Sequence, residues 1–326
     1  VHPASGIRNF EKMYKDMAEY LGINPDSKKT IEFDMTNKEF VEAYFKFAHH
    51  PHENAGVDFW WIDWQQGNNG GASGIDSLWM LNYFHFKDME KRGRRGLILS
   101  RYGGLGSHRY PWSHDIGGHM NGYKDNELAL RWYQFGVFSP INRLHSSSNP
   151  FCGKEPWNYP EPYCSDMEKI LRFRHALIPY MYTLNYRCHC EHIPVIIPMY
   201  YYYPFEEKAY SYKNQYFLGS EMLVCPVTTK IDEDSQKSGE ECFIPAGIWT
   251  DIFTGDVYNG GKNGKSQILC RNLQSIPVLG RAGAIIPLAS ECGSNDIINP
   301  KKVDVVICPG VSNTFVMYED SGDGFD

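Results

Sequence analysis

The stretch Val57-Asp58-Phe59-Trp60-Trp61-Ile62-Asp63 decides the fold, because it is a compact apolar run that ends in a carboxylate. Residues 65–73 follow it as a predicted loop, and residues 77–91 have the periodicity of an amphipathic helix. Residues 96–101 form the next apolar run, which again has a charged residue at its C-terminal end. Strands and helices that alternate in this way are typical of an α/β fold with a parallel sheet.

Capping signals mark where further helices are expected to begin. Capping boxes start at Thr36 and at Ser165, and Asp125 is expected to cap a helix that runs to about residue 138. The helix after Ser165 is predicted to be long and to be kinked at Pro179.

The character of the sequence changes in its second half. From about residue 215 onwards, short β-rich runs are separated by Gly, Pro and Asn. This pattern predicts an antiparallel β-sandwich, with the domain boundary near residue 205.

Composition excludes several classes of protein. Of 326 residues, 42% are hydrophobic and 22% are charged, as in a folded globular protein. The net charge of −7 and the pI near 6.0 argue against nucleic-acid and anionic-membrane partners. The longest apolar runs are far shorter than the ~20 residues of a membrane helix. Aromatic residues make up 15% and suit a sugar site, although an aromatic-rich core explains most of them equally well.

Cysteine and histidine clusters give no sign of a metal or cofactor site. Nine scattered cysteines and the absence of an Asn-x-Ser/Thr sequon favour a reducing, cytoplasmic compartment. Cys188-His189-Cys190 predicts a helix end, because neighbouring side chains on a helix point about 100° apart and cannot share one ion. His49, His50 and His52 are predicted to occupy a surface loop. The start at Val1, without Met, predicts a piece of a longer protein.

Three predicted strand ends carry charged side chains that could act together, namely Asp63, Arg101 and Asp115. In a (β/α)₈ barrel the catalytic groups converge at the carboxyl ends of the strands. A carboxylate behind two Trp residues is shielded from water on one side and could attack an anomeric carbon. From the pattern alone, a loop-capping role for Asp63 is an equally good explanation.

Several segments in the same order resemble glycoside hydrolase family 31, which is far more specific than any single motif. Those in the first half are residues 57–65 (VDFWWIDWQ), 100–110 (SRYGGLGSHRY), 112–119 (WSHDIGGH) and 131–140 (RWYQFGVFSP), the last followed by Arg143 and His145. Residues 243–251 and 276–287 are similar to the family's proximal C-terminal β-domain, and residues 318–322 to the start of its distal one. The resemblance, to α-glucosidases and α-xylosidases, covers nearly the whole chain.

The resemblance implies a fold, domains and roles. The implied fold is a (β/α)₈ TIM barrel, incompletely represented, over residues 1–204, a proximal β-sandwich domain over 205–290 and the start of a distal β-domain over 291–326. Asp63 would be the catalytic nucleophile. The implied substrate-binding residues are Trp61, Arg101, Trp112, Asp115 and His145. For Arg101 a salt bridge within the barrel is an alternative, and for His145 a satisfied core histidine.

The sequence departs from the family pattern between Pro111 and Trp112. A Gly-Asp turn that carries the general acid is normally found there, and about 30 residues of strand and helix are missing. Either an omitted stretch separates the two residues, or the chain is a deleted form without the acid. The first is favoured because the flanking motifs are intact, and no acid/base residue is assigned.

The predicted function is that of a retaining, exo-acting α-glycoside hydrolase whose partner is an α-linked oligosaccharide or another α-glycoside. A catalytically deficient sugar-binding homologue and an α-transglycosylase are the alternatives. Trp64-Gln65-Gln66 stands where many α-glucosidases of the family carry Met-Asn-Glu, so glucose, xylose, galactose and N-acetylated sugars all stay open. A metal-dependent hydrolase is disfavoured, because the sequence has no ligand cluster with metal spacing.

Overall fold

The structure is a computed structural model, and it divides into two compact units. It describes residues 6–63, 74–75, 77–100, 114–118, 123–147, 149–291, 293 and 299–322. The first unit comprises Val1–Ser113 with Ser321–Asp326, and the second comprises His114–Asp320. Each unit has a hydrophobic core of its own.

The first unit contains the strand–helix–strand arrangement that the sequence predicts. Its elements are α1 (Tyr14–Tyr20), a 3₁₀ turn (Pro25–Ser27), α2 (Lys38–Ala48), α3 (His50–Asn54), β1 (Trp60–Ile62), α4 (Ser77–Lys91) and β2 (Ile98–Ser100). Strands β1 and β2 pair in parallel, with Trp61 opposite Leu99. Both predicted strands and the predicted helix between them are thereby confirmed.

The core of the first unit lies under this parallel pair. Ile62, Ile98 and Leu81 of α4 are completely buried. Each such side chain contributes roughly 1.5–3 kcal/mol relative to an exposed one. The burial of Ile62 and Ile98 fixes which face of each strand points inward, and therefore which residues point the other way.

The start of α2 differs from the prediction by one residue. The sequence predicts Thr36 as the N-cap, whereas Asn37 takes this position, and the Asn37 side chain accepts a hydrogen bond from the Phe40 N–H at 3.1 Å. The hydroxyl and N–H of Thr36 both donate to Asp34 instead, at 2.5 and 2.9 Å. An upstream carboxylate thus takes the Thr36 side chain, and the adjacent Asn, an equally good capping residue, replaces it.

The helices of the second unit are α5 (Asn126–Val137), α6 (Tyr163–Ala176), α7 (Ile178–Glu191), α8 (Met199–Tyr202) and α9 (Lys208–Ser211). Asp125 caps α5 as predicted, with 2.9 Å between its carboxylate and the Leu128 nitrogen. The capping box at Ser165 is wrong, because α6 already begins at Tyr163 and the Ser165 hydroxyl donates to Glu161 at 2.6 Å.

Pro179 separates two helices instead of kinking one. Helix α6 ends at Ala176, and Pro179 lies in the first turn of α7. Proline fits there because the first turn of a helix does not use that N–H. Helix α7 ends at Glu191 with His192 in the left-handed conformation (φ 59°), so Cys188-His189-Cys190 is a helix end as predicted.

The β-rich part of the second unit is antiparallel, as predicted. Its strands are β3 (Ile196–Pro198), β4 (Tyr216–Leu218), β5 (Met222–Val224), β6 (Ser238–Ile244), β7 (Ile248–Asp251), β8 (Val257–Asn259), β9 (Lys265–Arg271), β10 (Val278–Arg281), β11 (Ile285–Ala289) and β12 (Val303–Ile307). One sheet has the strand order β3-β4-β5-β10-β7-β8, and β6 pairs with β9 and β11 with β12. The domain boundaries at residues 204 and 290 stay a prediction.

Helices that could cross a membrane are not found in the part of the chain that the structure describes, because none there is both long and apolar enough. The cysteines described are all free thiols.

Candidate active site

Asp63 directly follows β1 in the first unit. Strand β1 ends at Ile62, which is opposite the last residue of β2, Ser100. The carboxyl ends of two parallel neighbouring strands therefore lie side by side, with Asp63 at this edge and 8% exposed. This is the strand edge at which barrel enzymes carry their catalytic groups. Arg101, the first residue after β2, lies outside the described residues.

The side chain of Trp60 anchors strand β1 through polar and aromatic contacts. The Trp60 indole N–H donates to the Glu53 carboxylate at 2.6 Å, and Arg92 forms an ion pair with the same carboxylate at 2.8 Å. The Trp60 ring lies edge-on to the His49 ring, with 4.3 Å between centroids. Successive residues of a strand point to opposite faces, so Trp60 and Trp61 lie on opposite faces of β1. The contacts that anchor Trp60 on one face therefore also fix the backbone from which the Trp61 and Asp63 side chains extend.

His49 and His85 form a buried pair beneath β1, so the prediction of a surface loop at residues 49–52 is wrong. His49 is 2% exposed, and its Nε2 lies 3.0 Å from Nε2 of His85, which is completely buried. Residues His50–Asn54 form helix α3. The three polar histidines lie close together in the sequence, which suggests an exposed loop. The residue that pairs with His49 in the core is 36 positions away, so the sequence around His49 does not reveal it.

Burial sets the protonation of this pair. Desolvation lowers the pKa of His85 to about 4 and moves the pKa of His49 well below its usual value, with His85 adding to the second effect. Nδ1 of His85 contacts the Leu81 carbonyl at 2.7 Å, and Nδ1 of His49 contacts the Tyr44 carbonyl at 3.2 Å. A carbonyl can only accept and a neutral imidazole carries one proton, so the two rings have two protons for these two carbonyl contacts and the Nε2–Nε2 contact between them.

Asp115 lies in the second unit, paired with a guanidinium. Arg143 Nη2 donates to the Asp115 carboxylate at 2.8 Å, and both side chains are largely buried. Ile116 forms a parallel β-bridge with Leu144. Asp115 directly precedes Ile116, and His145 directly follows Leu144. The bridge therefore places these two predicted binding residues on neighbouring backbone segments. Ile116 is completely buried, which anchors this segment in the core of the second unit.

His114 supports this segment through a chain of hydrogen bonds. The Trp132 indole N–H donates to His114 Nδ1 at 3.0 Å, which makes Nδ1 an acceptor and places the imidazole proton on Nε2. Nε2 then donates to the Ser139 hydroxyl at 2.9 Å. Burial lowers the pKa of His114 to about 4, although Asp115 acts in the opposite direction. The residue next to Asp115 is therefore a neutral imidazole at pH 7.

The turn after helix α5, which contains Ser139, is fixed by one partly buried arginine. Arg174 donates to the carbonyl oxygens of Val137, Ser139 and Pro140, each at 2.7 Å. A cation at the C-terminal end of a helix also interacts favourably with the helix dipole. His114 thus rests on a turn that is itself held rigidly.

The predicted site residues are divided between the two units. Trp61 and Asp63 belong to the first, and Asp115 and His145 to the second. Arg101 and Trp112 lie outside the described residues, as does the junction after Pro111. Sequence reasoning assigned no role to the supporting groups His114, Trp132, Ser139, Arg143 and Arg174. The aromatic and basic residues inside the quoted motifs were the signal that could have identified most of them.

Three side chains of the kinds that bind metal ions lie close together in the first unit, but ion pairs already compensate their charges. One ligand atom from each of His50, Glu53 and Asp88 lies within 4.8 Å of the others. His50 pairs with Asp88 at 2.8 Å, and Glu53 pairs with Arg92 at 2.8 Å. The guanidinium supplies the positive charge that a cation would bring, so the group is accounted for as an ion-pair cluster.

Comparison with known proteins gives consistent matches. The profile of the glycosyl hydrolases family 31 TIM-barrel domain matches residues 111–184, and that of the glycosyl hydrolase family 31 C-terminal domain matches residues 192–286. Together these two ranges cover just over half of the chain.

Curated relatives and solved structures agree with the profiles. Alpha-glucosidase 2 of Bacillus thermoamyloliquefaciens is 27% identical over 76% of this chain and 34% of its own length. Neutral alpha-glucosidase C of Mus musculus is 32% identical over 65% of this chain and 23% of its own length. The crystal structure of the GH31 alpha-xylosidase from Xanthomonas citri aligns with a TM-score of 0.75 at 24% identity, over 98% of this chain and 42% of that one. The chain thus spans about a third of the length of the first of these curated relatives and about a quarter of the second.

Proposed function

The chain belongs to glycoside hydrolase family 31, and from this premise we propose that it acts as part of a retaining, exo-acting α-glycoside hydrolase with Asp63 as its nucleophile. The observation that carries the proposal is the position of Asp63. It is a buried carboxylate at the carboxyl end of β1, beside the end of the parallel neighbour β2. The substrate class that follows is an α-linked oligosaccharide or another α-glycoside.

A fold of TIM barrel followed by C-terminal β-domains is supported by the two matching family profiles and by the alignment with the Xanthomonas citri enzyme. We further propose that β1, α4 and β2 are one βα unit and the following strand of a (β/α)₈ barrel over residues 1–204. The proximal β-sandwich would occupy residues 205–290 and the start of a distal domain residues 291–326.

The proposed chemistry has two steps. In the first, a carboxylate oxygen of Asp63 attacks the anomeric carbon, the glycosidic C–O bond breaks, and the leaving oxygen takes up a proton. In the second, water attacks the same carbon and releases Asp63 together with the sugar. The proton donor of the first step is left unassigned, because no residue of this sequence matches the family's acid.

Binding of the sugar is proposed for the remaining predicted residues. Asp115 would accept hydrogen bonds from sugar hydroxyls, and its ion pair with Arg143 at 2.8 Å supports this by fixing the carboxylate. His145 and Arg101 would donate to hydroxyls, and Trp61 and Trp112 would cover apolar faces of the ring.

A second candidate function follows from the junction of Pro111 and Trp112 in the sequence. If the chain truly lacks the Gly-Asp turn, it lacks the ~10²–10⁴-fold typical of general acid catalysis. The protein would then bind α-glycosides without turning over natural substrates. A transglycosylase differs only in the acceptor of the second step, and an added sugar acceptor would distinguish it.

Covalent labelling tests the proposal. A 5-fluoroglycosyl fluoride has a leaving group that needs little acid assistance, so it should trap the glycosyl-enzyme even without the acid. Peptide mass spectrometry should find the label on Asp63, and Asp63→Asn should abolish it. Asp58→Asn is the matched control, because Asp58 is an exposed carboxylate in the same segment, paired with Arg94 at 2.9 Å. A label on another residue would refute the assignment of Asp63.

A further inference from the structure

Helix α5 carries a row of buried polar side chains on one of its faces. Glu127, Arg131 and Gln134 follow one another at spacings of four and three residues, which places them on the same face of the helix. They are 9%, 5% and 1% exposed. Buried polar groups need hydrogen-bond partners, and none of these three is among the predicted site residues. Their partners therefore show what this face of α5 contacts.

Arg131 ties α5 to two separate points of the β-rich part of the second unit. Its guanidinium donates to the Ser275 carbonyl at 2.9 Å and to the Ser238 hydroxyl at 3.2 Å. Ser238 begins β6, whereas Ser275 lies between β9 and β10. A third bond, of 3.0 Å, joins the guanidinium to the side-chain oxygen of Gln134. Because the guanidinium is a rigid fork of donors, meeting these acceptors together fixes the position of α5.

Gln134 and Glu127 extend this attachment in both directions along the helix. The Gln134 amide donates to the Leu273 carbonyl at 2.6 Å. One turn before Arg131, the Glu127 carboxylate accepts from the Ile231 N–H at 2.6 Å. Backbone groups of the β-rich part therefore hold α5 over about two turns of its length.

A different face of α5 supports both chain neighbours of Asp115. The His114 ring is stacked on the ring of Phe135, with 4.6 Å between centroids and 26° between ring planes. On the other side of Asp115, Ile116 packs against Gly136, where a Cβ would lie only 2.4 Å from the terminal methyl carbon of Ile116. Glycine at this position thus allows the close approach. Asp115 is held between two residues that both rest on α5.

We infer that Arg131 and Gln134 are positioning residues for Asp115. Through them the β-rich part holds one face of α5, and another face of α5 fixes the backbone on either side of Asp115. A shift of α5 would therefore move the Asp115 carboxylate, and a misplacement of about 1 Å can cost about 10²-fold in rate. The inference rests on the proposed function, in which Asp115 accepts hydrogen bonds from sugar hydroxyls.

NMR titration of the histidines tests the support of this segment without any substrate. In a chain labelled with ¹⁵N-histidine, the parent should show His114 with its proton on Nε2 and a pKa of about 4. The signal is assigned by its loss in His114→Gln. Arg131→Met and Gln134→Met should each raise this pKa by about 1 pH unit or more, towards the ordinary value of about 6.5, because the imidazole becomes less buried. Arg131→Lys keeps a donor and should give a smaller rise.

Covalent labelling by a 5-fluoroglycosyl fluoride tests the consequence for the sugar. Its rate at increasing reagent concentration gives KI, which reports binding of the sugar, and kinact. Arg131→Met and Gln134→Met should each raise KI about tenfold through misplacement of the binding carboxylate. In an Asp115→Asn background each should raise KI by less than about twofold, because the carboxylate that α5 positions is already gone. A general loss of stability would instead add to the effect of Asp115→Asn.

Gln215→Met is the matched control for Gln134→Met. Gln215 is also a buried glutamine of the second unit, 6% exposed, and both ends of its amide bond the backbone of Phe243, at 2.8 and 2.7 Å. Phe243 lies in β6 and not in α5, so this substitution should lower stability without changing KI or the pKa of His114. If Arg131→Met is not folded by circular dichroism, Arg131→Lys replaces it.

Unchanged KI in the Arg131 and Gln134 variants would overturn the inference. An equal rise of KI in Gln215→Met would also overturn it, because the effect would then be a general loss of stability. So would a raised pKa of His114 with unchanged KI, since the segment would move without consequence for the sugar. The proposed function fails by a different result, the absence of label on Asp63 in the parent chain, and the His114 titration then still decides whether α5 holds this segment.

Discussion

The surroundings of Asp63 and of Asp115 are built on different principles. Asp63 follows a strand whose direction is set by parallel backbone pairing and by the burial of Ile62 and Ile98. Asp115 lies on an irregular segment with a single β-bridge, and its carboxylate is held by Arg143. Parallel pairing and the core thus set where the first carboxylate follows its strand, whereas an ion pair with Arg143 holds the second. We therefore expect the second carboxylate to depend strongly on a single residue, Arg143.

Arg143→Ala should give the largest effect, because it leaves the largely buried Asp115 carboxylate without its guanidinium. Truncating one partner of such a pair typically costs 2–5 kcal/mol, so kcat/KM for an aryl α-glycoside should fall by about 10²-fold. Arg143→Lys keeps the charge and should recover part of the loss. Wild-type kcat/KM in the alanine variant would show that the ion pair does not position Asp115.

Acidification should destabilise the region of β1 through the buried pair of His49 and His85. The pKa of His85 is about 4 when folded and about 6.5 when unfolded, so the unfolded chain binds more protons between these values. Stability is therefore full above pH 6.5 and falls as the pH decreases towards 4, by about 3 kcal/mol for His85 alone.

Urea unfolding at pH 7.5 and pH 5 measures this loss. His85→Gln should reduce the difference between the two pH values, whereas His52→Gln, at an exposed position, should not. His114 titrates in the same direction in the second unit, since burial lowers its pKa to about 4. An identical pH dependence in His85→Gln and the parent would mean that the pair is not buried in solution.

The N-caps of α2 and α5 should give the smallest effects, and similar ones in both units. Asn37→Ala and Asp125→Ala each remove one side-chain bond to a helix N–H, at 3.1 and 2.9 Å. Each should lower the free energy of unfolding by about 1 kcal/mol in thermal or urea melts. Thr36→Ala is the matched control and should change it by less than about 0.5 kcal/mol. A larger effect of Thr36→Ala would restore Thr36 as the cap.

The sequence predicted a helix or strand well where its apolar residues follow a single helical or strand-like spacing. Helix α4 runs over Ser77–Lys91 as predicted, because its apolar positions recur at helical spacing and face one core. The cap of α2 and the break at Pro179 were less predictable. Two adjacent residues can serve as the cap, and a proline can either kink a helix or begin the next one. The choice depends on side chains such as Asp34 that compete for the same donors.

The sequence alone determined the family, the strand–helix–strand order of β1, α4 and β2, and the identity of the candidate nucleophile, because these are encoded in contiguous residues. The tertiary structure decided which polar groups are buried and paired. His49 meets His85, and Asp115 meets Arg143, across separations of 36 and 28 residues. Such pairings leave no local pattern, since they arise from how elements pack, and that packing determines the pKa of a histidine and the orientation of a carboxylate.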